Sequence, residues 1–313
     1  MNLPILIFAL IISLILHFSI QRFFIYFKKF DDFNHRSSHK TLATRTGGIG
    51  VYLTLLIICI FYYIKKIEIF DYSLFIPLSI MFFIGVYDDF YNADFKLKFF
   101  LQIIVAKILI DQGFVINNYN GFLGLYEIPW LVAQLTTIFV FLLVVNAINF
   151  IDGIDGLAIT QVIKSILLFE LFSNNITDIS ILGFIVIASL ISLFYFNFKK
   201  KRKIFLGDSG SMFLGSILMI YILYLLGDNY KMNEGLRINK TLFSILIVLY
   251  PLIDLLRVFL IRISKGLSPF VADQNHIHHK LLDLFKGKHY VVVLSILITE
   301  ILLIILITKS FIN

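Results

Sequence analysis

The sequence predicts an all-α integral membrane protein, a polytopic helical bundle of about ten transmembrane helices. Three observations predict it. Of 313 residues, 59% are hydrophobic and 15% charged, too little polar surface for a soluble domain of this size. Ten apolar runs approach the ~20 residues that cross a hydrocarbon core of roughly 30 Å. Lys and Arg are shared unevenly between the loops that join these runs.

The runs cover residues 3–26, 49–64, 73–87, 99–112, 129–148, 157–173, 179–197, 212–226, 241–261 and 290–308. The first is read as a retained span, because no basic stretch precedes it and no small-residue cleavage site follows. The third and fourth are the shortest for a crossing. The lone Cys59 lies in an apolar run, which excludes a disulfide framework and argues against redox chemistry. No repeat, Pro-rich linker or low-complexity tail divides the chain, so a single membrane domain over 1–313 is expected.

The net charge of +7 would suit nucleic acid, but its distribution does not. Seventeen Lys and Arg fall in odd-numbered loops and five in even-numbered ones. Basic loops stay on the cytoplasmic side, which places the odd loops inside and both termini outside. The run KKKRK at 199–203 reads as a topology anchor that also attracts anionic headgroups of the membrane lipids.

The polar stretches that carry chemistry fall in those odd loops: DDFYN (88–92), NAINFIDGIDGLA (146–158), FLGDSGS (205–211) and NHIHH (275–279). Asp88 and Asp89 are adjacent carboxylates, which repel unless a cation, a proton or solvent intervenes. Asn146, Asn149, Asp152 and Asp155 recur every three residues, close to one helical face. Gly153 and Gly156 permit close approach of a ligand to the backbone. Asp208 precedes an apolar span, where Ser209 or Ser211 would cap a helix whose N-terminus favours phosphate. The carboxylates and amides supply hard oxygen ligands suited to Mg²⁺, with Mn²⁺ the alternative, and no Cys/His zinc pattern is present. His276, His278 and His279 suit phosphate contact, metal ligation or acid–base work, and phosphate is preferred. Asp254 and Arg257, one turn apart in the ninth run, are expected to form an intrahelical ion pair. Acids for a metal and bases for phosphate at a lipid–water boundary point to phosphoryl transfer between a nucleotide donor and a lipid acceptor.

With RSSH (36–39), RTGGIG (45–50), VYDDF, NAINFIDGIDGL, FLGDSGS and SPFVADQNHIHH in order from about residue 34 to 280, the chain resembles the polyprenyl-phosphate N-acetylhexosamine-1-phosphate transferases of glycosyltransferase family 4. The resemblance implies a multi-pass enzyme of the bacterial inner membrane with cytoplasmic catalytic loops. It would move a sugar 1-phosphate from a UDP-sugar to undecaprenyl phosphate and release UMP. The His-Ile-His-His form is similar to the branch that begins O-antigen, enterobacterial common antigen or teichoic-acid lipids. By resemblance, Asp208 and Asn149 hold Mg²⁺, Asp155 contacts uracil and Phe205 stacks on it. Lys98, Asn146, Arg262 and the three histidines bind the donor, and Lys40 or Arg45 holds the lipid phosphate. Asp88, Asp89, Asp152 and Asp155 are the candidate catalytic carboxylates. The resemblance leaves a homodimer open and implies no nucleic-acid partner. The rival reading is an ion-coupled transporter with acidic coupling sites. Such acids lie near the bilayer midplane, whereas these lie at span ends.

Overall fold

The computed structural model describes residues 3–30, 43–233, 238–268 and 275–310. These form twelve α-helices and one two-residue parallel ladder, confirming an all-α polytopic membrane protein. Seven helices are long and apolar enough to cross a membrane, and the bent pair α9 (Lys240–Ile247) and α10 (Leu249–Ser264) adds an eighth. Two expected spans form shorter helices, α4 (Phe95–Asp111, 17 residues) and α6 (Leu157–Phe172, 16 residues). The chain divides into two compact units, each assembled from two separate stretches.

The first unit comprises residues 1–93 and 178–213. Here α1 (Leu3–Tyr26) lies along α7 (Ser180–Asn197) and α2 (Gly47–Ile64). Its buried residues Ile5, Ala9, Ser13, His17 and Gln21 recur every fourth position, one stripe on an otherwise exposed apolar helix. Ser13 and Gln21 on that stripe find internal partners, as polar groups in lipid must. The Ser13 and Ser189 hydroxyls lie 3.0 Å apart, and Gln21 Nε2 donates to the Arg202 carbonyl at 2.7 Å. The unit also contains α3 (Phe75–Tyr91) and the first residues of α8 (Gly207–Leu226). Strands β1 (Ala43–Thr44) and β2 (Lys203–Ile204) pair in parallel beside them.

The second unit comprises residues 94–177 and 214–313. There α5 (Trp130–Ile151) packs on α4 and α10, and α6 packs on α12 (His289–Ser310). Within the unit the α8 residues are buried, with the Tyr221 ring edge-on to Phe169 at 4.6 Å. Short α11 (Ile277–Leu284) precedes α12. The ninth apolar run is not one rod. It bends by 74° at Val248, where Pro251 sits in the first turn of α10 and needs no amide partner.

Candidate active site

In the first unit, the acidic pair ends a helix rather than opening a loop, because α3 continues to Tyr91. Asn92 then takes a left-handed conformation and stops it. Asp88 Oδ1 accepts from the Ala93 amide at 2.8 Å. Asp89 reaches across to α8: its two oxygens accept from the Asp208 and Ser209 amides, each at 2.9 Å. A buried carboxylate thus satisfies two of the orphan donors at the positive end of that helix. This corrects the sequence reading, in which a serine caps α8 and leaves its first amides to phosphate. Gly85, one turn before Asp89, makes the approach feasible, since a Cβ there would fall 2.3 Å from the Asp208 carbonyl oxygen.

The RTGGIG glycines have packing reasons too. A Cβ on Gly48 would stand 2.1 Å from the Gly210 amide nitrogen, and one on Gly50 would stand 2.3 Å from the His17 ring. Gly47 and Gly48 donate their amides to the Phe205 and Leu206 carbonyls at 2.9 and 2.8 Å. RTGGIG and FLGDSGS are therefore held together backbone to backbone. Arg45 Nη1 lies 4.0 Å from Asp89 Oδ1 and is half exposed. Lys40 and the RSSH stretch lie outside the described residues.

In the second unit, α5 runs to Ile151, so Asn146 and Asn149 are helical and Asp152 follows its last turn. Asn146 Nδ2 donates to Gln102 Oε1 at 2.8 Å, tying α5 to α4. Lys98 stands in the first turn of α4, partly exposed. Asn149 and Asp152 are partly exposed, whereas Asp155 is buried. Gly156 adopts φ +79° at the start of α6. Gly153 admits a histidine rather than an outside ligand: a Cβ there would lie 2.7 Å from His278 Nε2.

Asp254 organises the histidines. Its Oδ2 lies 2.8 Å from His276 Nδ1 and 3.4 Å from His278 Nδ1, and its Oδ1 accepts from the Ile277 amide at 2.7 Å. Arg257 instead donates to the Asn275 carbonyl at 2.7 Å, so both members of the expected ion pair have partners on the 275–278 segment. With both Nδ1 atoms turned to the carboxylate, the ring orientations are fixed. Burial, opposed by Asp254, lowers the pKa of His278. Burial, with His278 and His276 beside it, brings His279 down to about 4. At neutral pH these two rings are uncharged, and with its Nδ1 turned to the Asp254 carboxylate the His278 ring keeps Nε2 as an acceptor. Arg262 is buried, its guanidinium carbon 6.0 Å from the centre of the Phe150 ring.

Sequence reasoning missed His289, the first residue of α12. Its Nδ1 accepts from the Asp155 amide at 3.0 Å and lies 3.2 Å from Asp155 Oδ2. The available signal was a histidine at the border of the last apolar run.

Among the described residues, Asp254, His276 and His278 form a group able to hold a metal ion, their ligand atoms all within 4.8 Å of one another. Two imidazole nitrogens and one carboxylate suit a zinc-like ion and fit Mg²⁺ poorly, since Mg²⁺ takes oxygen ligands. Asp208, in the first unit, and Asn149, in the second, each offer a side-chain oxygen, the kind of donor that Mg²⁺ takes.

The profile described as Glycosyl transferase family 4 matches residues 71–226. A "Probable undecaprenyl-phosphate N-acetylglucosaminyl 1-phosphate transferase" of Bacillus subtilis (strain 168) is 31% identical over 278 residues, 85% of this chain and 73% of that protein. The chain belongs to glycosyl transferase family 4. Further family members include a "Decaprenyl-phosphate N-acetylglucosaminephosphotransferase" of Mycobacterium leprae (strain TN), 30% identical over 83% of this chain and 71% of its own. An "Undecaprenyl-phosphate alpha-N-acetylglucosaminyl 1-phosphate transferase" of Escherichia coli (strain K12) is 27% identical over 80% and 68%. The family match takes in three of the four polar clusters, and the alignments give no support to the transporter reading.

Proposed function

We propose that the chain transfers an N-acetylhexosamine 1-phosphate, GlcNAc 1-phosphate or a close relative, from its UDP-sugar to undecaprenyl phosphate and releases UMP. The product would begin a lipid-linked cell-surface polysaccharide such as O-antigen. The observation that carries this reading is the 31% identity, over 85% of the chain, to a relative named for that acceptor and that sugar phosphate. The two units would act as one transferase domain over 1–313 in the bacterial inner membrane, with the polar clusters on the cytoplasmic side and a homodimer left open.

In the proposed reaction an oxygen of the lipid phosphate attacks the β-phosphorus of the donor. The bond from that phosphorus to the bridging oxygen breaks, and UMP leaves with the electron pair. A covalent aspartyl intermediate is the alternative. Asp88, Asp89, Asp152 and Asp155 are proposed as the catalytic carboxylates, of which Asp89 also caps α8. Asp155 would bind uracil and Phe205 stack on it. Lys98, Asn146, Arg262, His276, His278 and His279 would hold the donor, and Lys40 or Arg45 the lipid phosphate. Asp208 and Asn149 would hold Mg²⁺, or Mn²⁺, whose charge lowers the barrier of phosphoryl transfer.

The test incubates purified protein with undecaprenyl phosphate, Mg²⁺ and a panel of UDP-sugars, and measures UMP release with the lipid product. UMP formation that requires both lipid and one UDP-N-acetylamino sugar is expected. No turnover with any UDP-sugar, alongside ion-driven solute uptake in proteoliposomes, would return the transporter reading.

A further inference from the structure

Two charges of opposite sign stand deep in apolar runs of the second unit, Lys164 on α6 and Glu300 on α12, both buried. Ions within a span need partners, and these have each other at 2.7 Å. The pairing alone does not explain why both are there, since two apolar residues would fill the space without ions. Their other contacts do. Glu300 Oε1 also accepts from the Tyr250 amide at 3.1 Å, and Gln161 bridges the pair, accepting from Lys164 and donating to Glu300 Oε2. Next to Lys164, the Ser165 hydroxyl donates to the Ile247 carbonyl at 2.6 Å.

Ile247 and Tyr250 flank the 74° bend. A broken helix leaves carbonyls unpaired at the end of its first half and amides unpaired at the start of its second. In lipid no water satisfies them. Ser165 takes one carbonyl and Glu300 takes one amide. The same turn of α10 then reaches the histidines: the Tyr250 hydroxyl lies 3.3 Å from His278 Nδ1, and Asp254, one turn on, holds His276 and His278.

We infer that Lys164 and Glu300 are positioning residues, an intramembrane clasp that fixes the bend in the ninth span and, through Tyr250 and Asp254, the orientation of His278. The inference rests on the proposed role of His278 in holding the donor. The clasp touches no substrate and acts only by aiming α10.

The experiment measures the KM of donor and acceptor separately in reconstituted full-length protein, with amide hydrogen exchange over 248–252. Lys164→Met with Glu300→Leu should raise donor KM about tenfold, the scale of one lost hydrogen bond, with acceptor KM unchanged and faster exchange at the bend. Glu300→Gln combined with Lys164→Met keeps an acceptor oxygen for the Tyr250 amide without stranding a charge, and should lie closer to wild type than Lys164→Met with Glu300→Leu. Tyr250→Phe should reproduce the donor effect without faster exchange. Added to the Lys164/Glu300 pair of changes it should bring little further loss, because both act through one ring. Wild-type donor KM in the Lys164→Met, Glu300→Leu protein, equal rises in both KM values, or additive losses would each overturn the clasp. If the wild-type protein turned over no UDP-sugar, the functional reading would fall by itself. Exchange at 248–252 would still judge the clasp, and unchanged rates in the Glu300→Leu background would sink it.

Discussion

Asp208 and His289 show how differently two site residues can be tested. Asp208 sits in the first turn of α8 with its amide taken by Asp89. Asp208→Asn keeps shape and removes charge. If Asp208 holds Mg²⁺, turnover should fall on the order of 10²-fold or more, because metal charge stabilisation is worth several kcal/mol. Wild-type turnover with unchanged Mg²⁺ dependence would move the metal elsewhere. His289 meets both the backbone amide and the carboxylate of Asp155, so it bears on the shape of the IDGIDG turn. His289→Ala should weaken UMP inhibition several-fold while leaving the acceptor KM unaltered, measured by product-inhibition kinetics. The acids were legible in the sequence because a carboxylate beside lipid demands a reason. The Asp254 network was not, since its partners are brought together by folding and the local spacing to Arg257 suggested a nearer one.

At the scale of elements, glycines decide how closely backbones meet. Gly48→Ala would set a methyl 2.1 Å from the Gly210 nitrogen, against backbone that cannot swing aside. Loss of folded protein is expected, read as a collapsed monodisperse peak in detergent size-exclusion chromatography. Gly153→Ala meets a side chain, His278 Nε2 at 2.7 Å, so the fold should survive while donor use falls. Helix existence was readable from apolar length, but helix ends were not. The sequence boundary placed Asp88 and Asp89 in a loop, whereas α3 carries both on its last turn and stops at left-handed Asn92. The bend at Val248 left a weaker trace. Pro251 lies inside an apparently continuous run, and the opposite charges of Lys164 and Glu300 stand in two other runs. Only the fold shows that these three signals concern one place.

For the molecule as a whole, the imbalance of seventeen basic residues to five predicts which side every polar cluster faces. Single cysteines placed in the 149–156, 198–206 and 262–289 loops of a Cys59→Ser chain should resist impermeant thiol reagents in intact cells and react after permeabilisation. Labelling from outside at 149–156 would contradict the proposed cytoplasmic face. The polytopic helical class was legible from composition alone. The division into two interleaved units was not, because it depends on which distant helices choose each other. That choice has a consequence in time. Ser13 and Gln21 on α1 meet Ser189 and Arg202 only after 176 and 181 further residues have been made. At ~5–20 residues per second, synthesis of that stretch takes on the order of ten seconds. During that interval the polar stripe of a newborn α1 has none of its α7 partners, and the inserting chain must keep it in lipid or lend it a substitute.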